Sequence, residues 1–284
     1  MKAPAFAYLK PQSLAEVFDA LERYGEDAQI LAGGQTLVAT LNMRLSSPSI
    51  LIDITGLANL RGIALMGNTV RIGALTTHRQ IERSVEVAQH LPLLAQAVPN
   101  IAHVAIRNAG TIGGSIAFAD PAAEWPACCL ALDAEFVLAG RAGERRVKAR
   151  DFFKGLYDTA RGPKELLIAI EIPGFVPGMK SAFLELARRH GDYAIVGVAA
   201  VAKVSGTVLS DVRLAFLGAG ATPLLASHAM RALEGRPAGA LEIKAAQDAL
   251  AQDLSPSADL YSQPATKMHL ARVLTGRAIS ALIK

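Results

Sequence analysis

An α+β protein is what this 284-residue chain predicts, on three observations. Segments with helical and strand periodicity follow one another in mixed rather than strictly alternating order, which disfavours a regular parallel sheet with crossover helices. Apolar residues make up 51% of the chain and charged residues 19%, a balance that supports a packed core and argues against disorder. The length suits two domains, and Phe175-Val176-Pro177-Gly178 is the best linker, dividing 1–176 from 177–284.

The first helix is expected over 13–24. Ser13 can cap it, Glu16 follows at capping-box spacing, and Leu14, Val17, Phe18 and Leu21 share one face, with Gly25 as the stop. A short apolar strand at 28–32 leads into Gly33-Gly34 and a helix over 36–45. Strands follow at 49–53 and 69–73, with a boundary between two α+β subdomains near 55–60, and Thr77 with Gln80 marks another capped helix. Residues 101–114 read as a helix end entering a Gly-rich loop, and 126–132 as a buried helix. Residues 135–138 and 145–148 read as a hairpin, and 165–172 as a strand stopped by Pro173. Beyond the linker, 182–188, 194–204 and 212–217 read as a three-stranded antiparallel sheet, followed by helices at 224–233, 241–250 and 265–280.

The charge balance, 29 basic against 25 acidic side chains, is mild and scattered, and its densest cluster, 141–150, is broken by Glu144. A solvated hairpin is expected there, and nucleic acid is not expected as a partner. Cys128 and Cys129 are adjacent, so they rarely bridge each other, and two sulfurs cannot hold a four-thiolate cluster. Core packing in a reducing, cytoplasmic setting fits them. The first residues lack the apolar core of a secretion signal, and the apolar run 194–202 is too short to span a bilayer. His78, His90, His103, His190, His228 and His269 are dispersed without metal-site spacing, and His78, at a helix start, reads as a surface residue. No Gly-x-Ser-x-Gly elbow is present.

Two Gly-rich segments carry the chemistry. The first is Leu31, Ala32, Gly33, Gly34, Gln35 and Thr36; the second is Gly110, Thr111, Ile112, Gly113, Gly114 and Ser115. Without a Cβ, glycine lets a phosphate approach the backbone, and free N–H groups at a helix end favour the anion. Two such segments suit the two phosphates of one dinucleotide, although a single Gly-Gly pair is more often a plain turn. Neither segment is the Gly-x-Gly-x-x-Gly fingerprint, and no Gly-Lys-Ser/Thr follows to make a P-loop.

The strings AGGQT (32–36), IRNAGTIGG (106–114), TIGGS (111–115), ADPAAEWPA (119–127), DFFKG (151–155), IEIP (170–173) and GDYAIVG (191–197) together resemble the flavoprotein subunit of molybdenum hydroxylases. That family includes bacterial carbon monoxide dehydrogenases, xanthine dehydrogenases and N-heterocycle hydroxylases, and the resemblance spans essentially the whole chain. It implies a vanillyl-alcohol-oxidase-type FAD-binding fold of two subdomains, then a small α+β C-terminal domain, with FAD held non-covalently. By the same resemblance, Leu31 to Thr36 and Thr111 to Ser115 wrap the pyrophosphate, Ser115 standing where relatives often carry Asp or Asn. Glu124 contacts the sugar or ribityl hydroxyls, the alternative being a surface Glu. Asp120 is a ligand or only a turn former. Tyr193 lies on the flavin face and gates access to it, or is a half-buried strand Tyr. Ile101 and Leu167 flank the flavin and adenine, or simply fill the core. Some relatives carry a flavin-binding Lys near Leu184; here that contact is missing or supplied differently.

The function so implied is electron transfer. A molybdenum cofactor in a large partner subunit hydroxylates the substrate, two 2Fe–2S clusters in a small partner pass the electrons on, and this chain's FAD hands them to an acceptor. The assembly implied is a dimer of heterotrimers. A stand-alone FAD oxidoreductase of the same fold and a flavin-free scaffold subunit are the alternatives, and the substrate and acceptor stay open.

Overall fold

The computed structural model describes residues 2–284. β1 (Ala7–Leu9) opens the chain, too short to register as a periodic segment. α1 (Leu14–Tyr24) begins as its cap predicts: Ser13 Oγ accepts the Glu16 N–H at 3.3 Å. The reciprocal capping-box bond is displaced by one residue, because Glu16 Oε2 accepts from the Gln12 N–H. The apolar face of α1, with Val17 and Leu21 buried, packs over β2 (Ala28–Leu31) and β3 (Ile50–Asp53). These strands form a parallel three-stranded sheet in the order β1-β3-β2. Between them α2 (Leu37–Asn42) is shorter than expected, ending ahead of Arg44 with its positive φ of 58°.

The second sheet is antiparallel and collects strands from distant parts of the chain. β4 (Ile63–Met66) and β5 (Thr69–Gly73) form a hairpin. A helical run follows: α3 (His78–Glu82), α4 (Val85–His90), α5 (Pro92–Ala97), α6 (Val104–Ala109), α7 (Ile112–Phe118) and α8 (Glu124–Ala131). The expected hairpin is β6 (Glu135–Gly140) with β7 (Gly143–Lys148). After α9 (Ala149–Phe152) and the ribbon β8 (Phe153–Gly155) with β9 (Asp158–Thr159), β10 (Leu166–Pro173) inserts between β5 and β6. β10 is buried up to Pro173 because both its edges are paired and both faces of the sheet are covered. Ile168 and Leu166 pack towards α1, whereas Leu167 and Ile170 face the core beneath the helices.

The third sheet departs from expectation in strand number. β11 (Met179–Leu186), β12 (Val196–Ser205) and β13 (Val208–Leu217) are the three antiparallel strands read from the sequence. β14 (Leu224–Leu225) and β15 (Arg236–Pro237) add to β13, so the sheet has five strands. Two residues are too few to show a period, and their pairing delays α10 (Ser227–Leu233) by three residues relative to the expected start. α11 (Ala240–Asp253) and α12 (Pro264–Leu282) complete the chain and close a core of their own with Val198, Ala200, Leu214 and Phe216.

The apolar run of β12 serves two cores at once. Val198 and Ala200 face α12, whereas Ala199 and Val201 join Trp125, Phe136 and Leu167 in the central core. That central core crosses the linker at 175–178. α8, buried along its whole length, fills the space between, with Cys128 and Cys129 both enclosed and burial raising both thiol pKa values. Among the described residues no helix is long and apolar enough to cross a membrane.

Candidate functional site

The first Gly-rich segment is a turn between β2 and α2, and Gly34 takes φ +70°, which L side chains rarely adopt. The backbone N–H groups of Gly33, Gly34, Gln35 and Thr36 have no acceptor among the described residues. Gly33 is pressed on the α6–α7 junction: an added Cβ would collide with Ala109 O and lie 2.8 Å from Gly110 Cα. A side chain at Gly33 is therefore excluded by protein backbone before any ligand is considered.

The second segment is not the loop expected from its glycines. Thr111 Oγ1 accepts the Gly114 N–H at 3.1 Å and caps α7, so Ile112 to Ser115 are its first turn. The amides are already engaged: Ile112 N–H donates to Thr76 O at 3.1 Å, Gly113 N–H to Ala74 O at 2.9 Å, and Ser115 N–H to Thr111 O at 3.1 Å. Gly113 rests on Ala74, where an added Cβ would meet the Ala74 Cβ at 2.5 Å. At Gly114 an added Cβ would lie 2.9 Å from the capping Thr111 Oγ1, with Ala32 Cβ the next atom at 4.0 Å. The structure thus brings the two segments together but divides their roles. The first presents a row of free N–H groups; the second presents the Thr111 side chain beside it, in the lining of one cavity. A cavity of about 230 Å³ lies against both, lined by Gly33, Arg61, Thr77, Asn108 and Thr111 among others.

A second cluster gathers at the other end of α7, whose seven residues span ~10 Å. Ala119 ends the helix in a left-handed conformation, φ 57°. The Phe118 ring lies 4.9 Å from that of Tyr157. Asp120 Oδ1 accepts the Ala122 N–H at 2.9 Å and so shapes the turn, and burial raises its pKa. Glu124 opens α8 and is buried, which sets aside the surface reading. Burial pushes its pKa up to about 8, helped by the negative charges of Glu185 and Asp120. Glu185 Oε2 is itself buried without a hydrogen-bond partner, and burial raises this carboxyl to about 7.

Tyr193 lies three residues before β12 begins, on the turn rather than at the strand edge. Gly191 takes φ +80° there, and Asp192 Oδ1 accepts the Tyr193 N–H at 3.1 Å. The turn rests on the segment after Ile101: a Cβ at Gly191 would lie 2.8 Å from Ala102 O. The Tyr193 residue is 67% exposed, and partial desolvation with the nearby charges of Asp120, Tyr157 and Glu124 raises its pKa. The half-buried strand reading therefore does not hold. Ile101 and Leu167, at 7% and 3% exposure, are part of the central core. Leu184 packs with the C-terminal core, while its neighbour Glu185 faces Glu124.

His78 is the clearest correction. It is 5% exposed, not a surface residue, and its Nδ1 accepts the Trp125 indole N–H at 2.9 Å. The Thr77 capping box fixes the start of α3 and with it the ring, which sits under Gly110. Phe118, Tyr157, Glu185 and Arg61 were not foreseen. Glu185 had a signal, since it shares the inward face of β11 with Phe183. The Phe118–Tyr157 pair had none, being a contact between the last residue of α7 and the turn that joins β8 to β9. Four free N–H groups, adjacent hydroxyls, and an aromatic and acidic cluster one short helix away fit an FAD, whose anionic middle and flat ring need those surroundings.

Family comparison gives two matches along the chain. Residues 4–175 match the FAD binding domain in molybdopterin dehydrogenase, and residues 181–282 match the CO dehydrogenase flavoprotein C-terminal domain. The 6-hydroxypseudooxynicotine dehydrogenase complex subunit alpha of Paenarthrobacter nicotinovorans is 37% identical over 281 residues, covering 99% of this chain and 95% of that one. The carbon monoxide dehydrogenase medium chain of Hydrogenophaga pseudoflava is also 37% identical over 281 residues, covering 99% and 98%. A solved carbon monoxide dehydrogenase from Hydrogenophaga pseudoflava, lacking the Mo-pyranopterin moiety of its cofactor, superposes with TM-score 0.97 at 39% identity, covering 99% of this chain and 98% of that one.

Proposed function

The chain belongs to the family of FAD-binding medium subunits of molybdenum hydroxylases, and from that premise we propose that it works as the electron-relaying flavoprotein of such a complex. The observation that carries this reading is the row of unpaired N–H groups from Gly33 to Thr36, set against Thr111 across one cavity. FAD, held non-covalently, supplies a centre that takes electrons singly and passes on one or two.

The residues of this chain bind, orient and shield. The N–H row meets the phosphates, with Leu31 and Ala32 forming the base of the turn. Ser115 and Thr111 add hydroxyl hydrogen bonds. Glu124 and Asp120 face the sugar and ribityl hydroxyls. Glu124, held protonated near neutral pH by its burial, can donate to one hydroxyl as well as accept from another. Tyr193, Phe118 and Tyr157 provide the aromatic surroundings for the ring, and Tyr193 screens its face from solvent. Leu167 and Ile101 set the shape of the pocket from within the core.

The remaining parts of the proposal concern the assembly. Electrons come from two 2Fe–2S clusters of a small partner, and the molybdenum cofactor sits in a large partner, as a cytoplasmic dimer of heterotrimers. The chain divides into an FAD-binding part, 1–176, with subdomains meeting near 55–60, and a C-terminal part, 177–284. Relatives of equal identity carry names with different substrates, so the substrate choice is assigned to the large partner. The test is purification of the full chain, alone and co-expressed with the neighbouring coding frames. Alone it should be yellow, release its flavin on acid precipitation, and oxidise no substrate; with its partners it should restore acceptor-linked turnover. A folded but colourless chain favours the scaffold reading, and substrate-dependent bleaching by the chain alone favours the stand-alone oxidoreductase.

A further inference from the structure

The phosphates of a dinucleotide carry negative charge, and the turn and α7 do not supply a full positive charge to meet it. The first Gly-rich segment offers partial positive charge through its free N–H groups. The second offers less than its glycines promise, because the amides of Ile112, Gly113, Gly114 and Ser115 already donate within the protein. A single charged residue lines the cavity against the two segments, and it is Arg61.

Its guanidinium is held in place from the protein side. Nη1 donates to Leu75 O at 3.3 Å and Nη2 to Thr55 O at 3.1 Å. The next residue is pinned too, with Gly62 N–H donating to Thr76 Oγ1 at 3.0 Å. Both acceptors of Arg61 are neutral carbonyls, and no carboxylate pairs with it among the described residues. Other arginines of the same sheet and its helices behave differently: Arg146 is paired with Glu171 at 2.8 Å and Arg107 with Glu82 at 3.3 Å. A guanidinium has five N–H donors, and two bonds to carbonyls leave Arg61 three without a protein acceptor among the described residues. An arginine that is held by carbonyls, unneutralised, and lining a cavity beside free backbone N–H groups is arranged for an anion.

We propose that Arg61 is the counter-charge for the diphosphate of the bound dinucleotide, a positioning residue that selects FAD over flavins without a diphosphate. The inference rests on the FAD reading above and adds a residue to it. Because its side-chain bonds go to carbonyls of its own subdomain junction, a Gln at this position keeps a donor for one of them without the charge.

The test is FAD affinity of the full-length apo-protein, read from quenching of flavin fluorescence, for wild type, Arg61→Gln and Arg61→Lys across a salt series. ADP serves as a second probe, since it carries the diphosphate without the flavin. Arg61→Gln should weaken FAD and ADP alike by roughly tenfold or more, the scale of a charge-assisted hydrogen bond. Its affinity should also depend less steeply on salt, and Arg61→Lys should recover part of the loss. Unfolding midpoints of the apo-proteins, if unchanged, show that the loss lies in binding. Affinity of Arg61→Gln within twofold of wild type, or an unchanged salt slope, would overturn the assignment while leaving FAD binding intact. A wild-type chain with no FAD affinity would instead overturn the FAD reading, and this inference with it.

Discussion

Trp125 donates its indole N–H to Nδ1 of His78 at 2.9 Å, and both side chains are buried. An accepting Nδ1 leaves the proton on Nε2, so the bond selects the neutral imidazole. Burial, with Arg107 nearby, depresses the His78 pKa to about 4 from the ordinary 6.5. A depressed histidine is stabilising in its neutral form: the contribution is complete above pH 6.5 and is lost as the pH falls towards 4. His78→Ala should cost about 1–3 kcal/mol for the unpaired indole donor alone, measured by urea unfolding at pH 7. His78→Gln can still accept that bond but does not titrate. Wild type should therefore lose stability relative to His78→Gln between pH 6.5 and 4, and parallel curves would remove the histidine from the acid response.

The glycines of the two segments should separate in their effects. Gly33→Ala drives a Cβ into Ala109 O and must part the segments, so stability and flavin content should both fall. Gly34→Ala forces a side chain into φ +70° and should cost about 1–2 kcal/mol. Gly114→Val meets Thr111 Oγ1 but otherwise faces space beside Ala32. It should lower flavin content more than it lowers the melting temperature of the apo-protein. Full flavin content in Gly114→Val would show that this glycine does not border the phosphates.

Local signals explain what was legible in the sequence. The Ser13 cap, the Thr77 capping box, the 135–148 hairpin and the Pro173 stop each act within a few residues, and each appears in the structure. The Gly-rich turn after β2 was legible for the same reason. The helical start at Thr111 was misread because two glycines outweighed a good cap residue, although the tertiary bonds to Ala74 and Thr76 hold that turn. β1 was missed because its three residues are exposed and gain order only by pairing with β3. The acidic and aromatic cluster was legible in part. Glu124 and Tyr193 stood in recognisable strings, and strand alternation put Glu185 on the inward face of β11, but Tyr157 and Arg61 reach their places only through chain crossings that no local pattern encodes.

Glu124 should give the opposite pH response to His78. Its carboxyl is raised from 4.5 to about 8 by burial and by the charges of Glu185 and Asp120. A raised acid contributes stability that is complete below its unfolded value and is lost as the pH rises through its folded value. Wild-type apo-protein should therefore weaken relative to Glu124→Gln between pH 4.5 and 8. Glu185, raised to about 7, acts in the same direction, so Glu185→Gln should remove part of the same slope. Thermal melts of the three proteins across that range provide the check. A wild type that gains on Glu124→Gln with rising pH would mean that Glu124 is ionised and partnered in the folded chain.

Tyr193 offers the sharpest separation of a structural from a functional role. At 67% exposure it buries little, so Tyr193→Ala should cost well under the ~3–5 kcal/mol of a truncated core aromatic. Its turn, by contrast, is tightly specified: Gly191 at φ +80° lies against Ala102, and Asp192 is held by Arg188 at 2.9 Å while accepting the Tyr193 N–H. A large exposed ring on so closely specified a turn, near Asp120, Glu124 and Tyr157, is placed to cover something the chain itself does not supply. If that is the flavin face, Tyr193→Ala should shift the visible spectrum of the bound cofactor and speed air reoxidation of the reduced protein. Tyr193→Phe keeps the ring and should leave reoxidation near wild type, which distinguishes shielding by the ring from any role of the phenol. The rates and spectra are to be read beside the melting temperature of each variant. An unchanged spectrum and oxygen reactivity in Tyr193→Ala, together with a large fall in melting temperature, would make the residue a packing element of the turn and nothing more.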